Sequence, residues 1–238
     1  MNIQKYTSAK ETEEEATKAL ENILADNRNN SILFLCSGGS AFKILAHISK
    51  DVLDTHLTLG VLDDRFSTDP LANNYLQLKE TVFYKKSYAC GVNFIESVPR
   101  ADESLAEFGV RIETAWRSWK KENPNGKVVI TQGMGPDGHT AGIMPYPEDP
   151  HFFASHFEHT ENWTSTYDAT SKNKFRERAT ATVVFLKEMV DISLVYLVGA
   201  DKQEKFDRFM SGDVITIAEL PIQVLKEMKE VRIFTDLR

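Results

Sequence analysis

Two apolar rhythms alternate along the chain. From Ser8 to Asp26, Ala16, Ala19, Leu20, Ile23 and Leu24 recur at helical spacing, behind a Ser8–Glu11 pair of the kind that caps helix starts. Ser31 to Cys36 (SILFLC) is then an unbroken apolar run stopped by Ser37-Gly38-Gly39-Ser40, which predicts a buried strand entering a tight loop. Helical spacing returns at Phe42, Ile44, Leu45 and Ile48, and His56 to Leu62 (HLTLGVL) predicts a second buried strand ending in Asp63-Asp64-Arg65. A helical stretch near Leu71 to Phe83 and a short strand near Val92 to Ile95 follow. Ala101 to Lys121 predicts a long amphipathic helix with Leu105, Phe108, Ile112, Ala115, Trp116 and Trp119 on its apolar side. Lys127–Thr131 (KVVIT), Thr180–Val184 (TATVV), Ile192–Val198 (ISLVYLV) and Val231–Phe234 predict further strands, with helices at Lys202–Met210 and Ile217–Met228.

Strands apolar on both faces, alternating with helices, imply an α/β chain with a mostly parallel sheet flanked by helices. No internal repeat or low-complexity tract interrupts it, so one domain over residues 1–238 is expected. Tyr146 to Arg178, rich in aromatics, Thr, Asn and His, breaks the rhythm and reads as a lid or an excursion beside the sheet. Open α/β sheets bind ligands beyond the carboxyl ends of their strands. Four unusual clusters follow strands here: SGGS, DDR, GMGPDGH and GADK.

Composition narrows the partners. A net charge of -7 over 238 residues argues against a general nucleic-acid binder, which needs a basic face, but leaves room for a small anion held by a few local cations. Cys36 and Cys90 are far apart without C-x-x-C spacing, as for idle thiols in a reducing compartment. The start, MNIQKYTSAKETEEEA, turns acidic where a signal peptide needs an apolar run, and no stretch approaches membrane-span length. A cytoplasmic protein with no membrane partner is expected.

Gln132 to Pro145 (QGMGPDGHTAGIMP) is densest in candidate chemistry. Gly133, Gly135 and Gly138 satisfy G-x-G-x-x-G by spacing. Yet several strand–helix units precede it, and Asp137 would aim a carboxylate at a pyrophosphate, so the dinucleotide reading loses. His139 is the stronger clue: a neutral imidazole, with a pKa of about 6.5, accepts a proton at cellular pH, and Asp137 on the same turn can orient it. A lone histidine after a turn is more often structural, and the glycine-lined strand-end loop shifts the balance toward catalysis. Ser37-Gly38-Gly39-Ser40 offers backbone N–H groups and hydroxyls to an anion, without the lysine of a nucleotide P-loop. Asp63-Asp64-Arg65 offers a carboxylate for proton transfer or hydroxyl recognition and a guanidinium for phosphate or an oxyanion. Arg178 and Lys202 border strands, and His151, His156 and His159 lack a usual metal spacing or an acidic companion.

SGGS, DDR with Asn73-Asn74-Tyr75, and GMGPDGHTAGIMP, in that order, resemble the 6-phosphogluconolactonase family, related to the glucosamine-6-phosphate deaminases. The similarity runs from about Ser31 to Leu225, and the GMGPDGHTA stretch is its most specific element. The resemblance implies a modified Rossmann-like, sugar-phosphate isomerase-like fold without a cofactor, neither dinucleotide nor metal. It implies hydrolysis of 6-phospho-D-glucono-1,5-lactone to 6-phosphogluconate in the oxidative pentose phosphate pathway. By motif position His139 resembles the base that activates water, with Asp137 and Asp63 as polar partners. Ser37, Gly38, Gly39, Ser40, Arg65, Arg178 and Lys202 resemble the shell around phosphate and lactone. Arg178 is carried over because it precedes TATV, and Lys202 because it closes Gly199-x-x-Lys202.

The chain departs from the pattern at Ala41-Phe42 (usually Thr-Pro), at Asp64 (usually Glu) and at Asn73 (usually Ser). SKNKFRER replaces a proline-rich approach, leaving Arg176 as a competitor to Arg178. Deaminase relatives carry a glutamate five residues after the histidine; here that residue is Met144, which disfavours deamination. A silent sugar-phosphate sensor is the alternative from another class, and the intact Asp137, Gly138 and His139 argue against it. The expected partner is a small sugar phosphate, bound by a monomer or weak homodimer.

Overall fold

The computed structural model describes all residues, 1–238. In chain order its strands are β1 (Asn2–Lys5), β2 (Ile32–Cys36), β3 (Leu57–Val61), β4 (Asp63–Arg65), β5 (Asn93–Phe94), β6 (Lys127–Gln132), β7 (Thr164–Asp168), β8 (Glu177–Ala181), β9 (Ile192–Leu197) and β10 (Glu230–Thr235). Seven make one sheet, ordered β1-β10-β9-β6-β2-β3-β5 and parallel throughout; β4, β8 and β7 make a small antiparallel sheet beside it. The α-helices are α1 (Ala9–Asp26), α2 (Asn74–Glu80), α3 (Val82–Ala89), α4 (Leu105–Glu122), α5 (Pro150–Phe153), α6 (Val183–Glu188) and α7 (Gln203–Met210).

The alternation of side chains along a strand divides the interior into two layers. Ile32, Phe34 and Cys36 of β2 pack with Ala16, Leu20, Ile23 and Leu24 of α1 on one face. Leu33 and Leu35 pack on the other with Phe108, Ile112 and Trp116 of α4 and Phe185 of α6. The first long helix starts where the sequence predicts, with Ser8 Oγ accepting from Glu11 N; α4 starts at Leu105, four residues after the expected Ala101, because Ser104 with Glu107 forms a full capping box there.

Several expectations are corrected. Thr180–Val184 is not one strand: β8 ends at Ala181, and the Thr182 hydroxyl caps α6, so Val183 and Val184 are helical despite being β-branched. Asp63-Asp64-Arg65 is not a loop but β4, antiparallel to β8 with Arg65 opposite Arg178. The helix expected after SGGS is a 3-10 turn, Gly39–Leu45, and that at Ile217–Met228 shrinks to 3-10 structure over Pro221–Lys226. The helix near Leu71–Phe83 is two, because Thr81 ends α2 and its hydroxyl caps α3. β1, short and half-exposed, carries too little apolar signal to be seen in sequence. The excursion from Tyr146 to Arg178 supplies α5, β7 and the start of β8, so it builds the second sheet.

β9, β6 and β2 are neighbours at the centre of the parallel sheet, and the loops after them are GADK, GMGPDGH and SGGS. Parallel order brings those three loops to one edge. On the covered face Trp116, 1% exposed, packs on Phe185 with ring centroids 4.8 Å apart. Trp116→Ala should cost about 3–5 kcal/mol, the usual loss for a buried aromatic, read as a lower denaturation midpoint with an unchanged slope in urea.

Candidate active site

The loop after β6 is shaped by its glycines. Gly138 holds φ of +89°, its N–H donates to Gly135 O (3.0 Å), and Gly135 N–H donates to His139 O (2.9 Å). A Cβ on Gly135 would overlap the imidazole of His139 and crowd the Asp137 carboxylate. These glycines therefore make room for a histidine–aspartate pair rather than for a pyrophosphate. Asp137 Oδ1 accepts from the His139 backbone N–H (3.1 Å) and lies 2.6 Å from His139 Nδ1. Partial burial works against the Asp137 charge, but the bonds from His139 prevail and hold it below the ordinary carboxylate range. An ionised Asp137 only accepts, so Nδ1 carries the hydrogen and the neutral ring keeps its lone pair on Nε2.

His139 lines a cavity of about 280 Å³ at the sheet edge. Its wall includes Ser37, Gly38, Gly39, Ser40, Asp63, Arg65, Arg178 and Lys202; Asp137 stands behind His139 rather than in the wall. Every one of the ten candidate residues is thus in the cavity wall or bonded to it. Arg178, on β8, is 2% exposed, and its Nη2 donates to Asp63 Oδ2 at 3.0 Å. Its Nε and Nη1 are buried with no partner, as is the hydroxyl of Ser37. Arg65 Nη1 donates to Ala72 O (2.9 Å) and to Asn74 Oδ1, and its guanidinium stacks 5.2 Å from the Phe175 ring. Lys202 forms no ion pair; burial lowers its pKa below that of an ordinary lysine, nearby Lys43 adds to this, and Asp201 and Asp236 oppose it. The wall therefore presents more positive charge than its own carboxylates neutralise, with donors left free. That suits an anion.

Arg176 does not compete for this wall. It pairs with Asp168 on the outer side, with 60% of its side chain exposed. Asp64, between two candidates in sequence, turns inward instead. It is 1% exposed and accepts from the backbone N–H groups of Arg65, Asn74 and Tyr75 and from Ser97 Oγ; burial still pushes it up to about 7.

Asn74, Asn173 and Thr140 also line the cavity and were not among the candidates. Asn74 lies in Asn73-Asn74-Tyr75, where it matches the asparagine of the family's Ser-Asn-Tyr while Asn73, whose side chain caps α2, replaces the serine; that match was the signal that could have singled it out. The aspartate–x–histidine spacing is itself no guide. Asp54 and His56 repeat the same pairing before β3, at the opposite end of the sheet, with His56 Nε2 buried and unpartnered. Position decides which histidine can meet a ligand. His151, His156 and His159 lie on or beside α5, where His156 stacks on Phe152 at 3.9 Å and makes no part of the cavity.

The model of the glucosamine-6-phosphate isomerases/6-phosphogluconolactonase family matches residues 4–234, and the chain belongs to that family. No curated protein sequence matches the chain. Among solved structures, a 6-phosphogluconolactonase from Shewanella baltica superposes with a TM-score of 0.75 at 16% identity, covering 99% of this chain and 96% of its own. The 6-phosphogluconolactonase from Trypanosoma brucei gives 0.74 at 17%, covering 98% and 95%. A monomeric glucosamine-6-phosphate deaminase gives 0.69 at 15%, covering 99% and 97%. At such identities the likeness is one of fold.

The buried pair yields a direct test. Asp63→Asn keeps the shape but strands the Arg178 charge, so stability should fall by about 3–5 kcal/mol, measured by chemical denaturation. A loss below about 1 kcal/mol would mean that solvent or another group already balances Arg178.

Proposed function

We propose that this member of the family hydrolyses 6-phospho-D-glucono-1,5-lactone to 6-phosphogluconate. The observation that carries the reading is the pairing of a histidine whose Nε2 is free with an incompletely neutralised cationic wall, in one cavity. Nε2 of His139 takes a proton from water as the water oxygen bonds to the lactone carbonyl carbon. Charge then develops on the carbonyl oxygen, where nearby donors stabilise it. The tetrahedral intermediate collapses with cleavage of the ring C–O bond, and the imidazolium returns its proton to the departing ring oxygen. Asp137 holds the imidazole in the tautomer this requires and stabilises its charged form. Arg178, Arg65, Lys202 and the Ser37–Ser40 loop form the shell for phosphate and lactone, with Asp63 as the partner that keeps Arg178 in place.

The deaminase reading is weaker because Met144, at the position of the relatives' glutamate, is fully buried and offers no proton-transfer group. In this reading the chain works as one domain over 1–238, as a monomer or weak homodimer, in the cytoplasm and in the oxidative pentose phosphate pathway. No helix is long and apolar enough to cross a membrane.

Purified protein, treated with EDTA, should hydrolyse freshly made 6-phosphogluconolactone faster than the spontaneous reaction. Ammonia release from glucosamine 6-phosphate without lactone hydrolysis would overturn the assignment, and sugar-phosphate binding with neither activity would make the chain a sensor. His139→Ala should lower kcat about 10²–10⁴-fold with little change in fold, as for a positioned base. Arg178→Ala should weaken use of the phosphorylated lactone by about one to two orders of magnitude while Arg176→Ala stays near wild type. The reverse order would relocate the anion.

A further inference from the structure

We propose that Asn74 is a positioning residue of this site: its amide stands between Asp63 and Arg65 and keeps the two charges from pairing with each other. Asp63 is thereby left to Arg178, and Arg65 to the bound anion. The proposal rests on the reading of the cavity as a sugar-phosphate site.

The first residue of α2, Asn74 is 1% exposed. Its backbone N–H donates to Asp64 Oδ1 at 2.6 Å, which anchors the helix start to β4. Its side chain then reaches both neighbours of Asp64. Nδ2 donates to Asp63 O at 2.8 Å and approaches Asp63 Oδ2 at 3.4 Å, while Oδ1 accepts from Arg65 Nη1. The direction of the amide is therefore dictated by charge: its donor end faces a carboxylate and its acceptor end a guanidinium. A flipped amide would set like against like at both ends.

The third contact is with the Ser37–Ser40 loop. A Cβ on Gly38 would overlap the Asn74 amide, so the amide lies against the Gly38 backbone with no room for a side chain between them. One neutral group thus touches Asp63, Arg65 and the loop after β2 at once. Substitutes fail for separate reasons. Leucine would strip both partners, glutamine is one methylene too long for the gap at Gly38, and aspartate would repel Asp63.

Without the amide's bonds to each, a guanidinium and a carboxylate so placed in a poorly solvated wall attract one another strongly. Arg65 would turn onto Asp63, and Arg178 would lose its share of that carboxylate. The unpartnered donors that the wall now holds, Nε of Arg65 and Nε and Nη1 of Arg178, would be drawn out of position for an anion. The amide acts through these residues, not on the reacting atoms, so the defect should appear in substrate affinity before turnover.

Steady-state kinetics on 6-phosphogluconolactone can test this with two variants of the full chain. Asn74→Leu should raise KM about ten- to hundredfold while kcat stays within about threefold. Asn74→Asp should show a similar rise above about pH 7, and the ratio of its KM to that of wild type should fall toward one near pH 5. There the introduced carboxyl, disfavoured as an anion by burial and by Asp63 and favoured by Arg65, regains a hydroxyl donor and again mimics the amide; Asp64, which titrates at about 7 in wild type and variant alike, cancels in the ratio. A merely structural role gives no such pH-dependent rescue. An unchanged KM in both variants, or a pH-independent ratio for Asn74→Asp, would overturn the proposal. Should Asn74→Leu not fold by circular dichroism, the pH dependence of the KM ratio for Asn74→Asp decides alone. Absence of lactone hydrolysis by wild type would instead sink the functional reading. Calorimetric binding of inorganic phosphate by wild type and Asn74→Asp then decides: the same pH-dependent loss of affinity supports the spacer, and equal affinities, or no binding by wild type, overturn it.

Discussion

A guanidinium with 2% exposure is the constraint on which the rest of this site depends. Arg178 lies in the small sheet, on β8, and Asp63 lies on β4, immediately after the segment that leaves β3. Their ion pair bridges neighbouring strands of the small sheet, in the wall of the cavity where the loops gather. A buried pair of this kind adds little net stability against an apolar alternative, because desolvation offsets most of the attraction. Asp63 engages only Nη2, so Nε and Nη1 of Arg178 keep donors that the proposed anion would take up.

Around that pair, space is made by residues without side chains. Gly135 clears the ring of His139, Gly142 lies against Asp63, and Gly38 lies against Asn74. Each close approach fixes one polar group of the wall, and each would be lost to a single methyl. The consequence is a small cavity with a closely packed wall. Its histidine is oriented from behind by Asp137, and its cations are only partly compensated. Such an arrangement suits the proposed hydrolysis, since donors already aimed at developing charge need no rearrangement as it appears.

The order of the strands explains why these groups meet. β2 and β6 are far apart in sequence but adjacent in the sheet, and β9 follows β6 on its other side. Parallel pairing sends all three chains toward the same edge. Local turn chemistry at three loops becomes one site by topology alone. The excursion after Tyr146, irregular by pattern, then folds back to deliver Arg178 from the antiparallel sheet.

The sequence by itself determined the class of fold and named ten candidate residues, which the structure gathers in or directly behind one cavity wall. Short, mainly apolar runs bounded by turn residues at β2, β3, β6 and β9 predicted strands buried on both faces, and the glycine-rich segments after β2 and β6 predicted sharp turns. Only the tertiary structure decided what each polar residue faces. Thr182 turned a β-branched run into a helix, because a capping hydroxyl outweighs a weak propensity. Asp63 and Asp64 are adjacent and alike in sequence, yet alternation along β4 sends one to Arg178 and the other into a cage of backbone donors. Arg176 and Arg178 lie two apart, yet one pairs with Asp168 in solvent and the other is buried in the cavity wall. The role of Asn74 was invisible for the same reason. Its significance lies in the opposite charges at its two ends, and those are brought to it by strands and loops that local sequence does not describe.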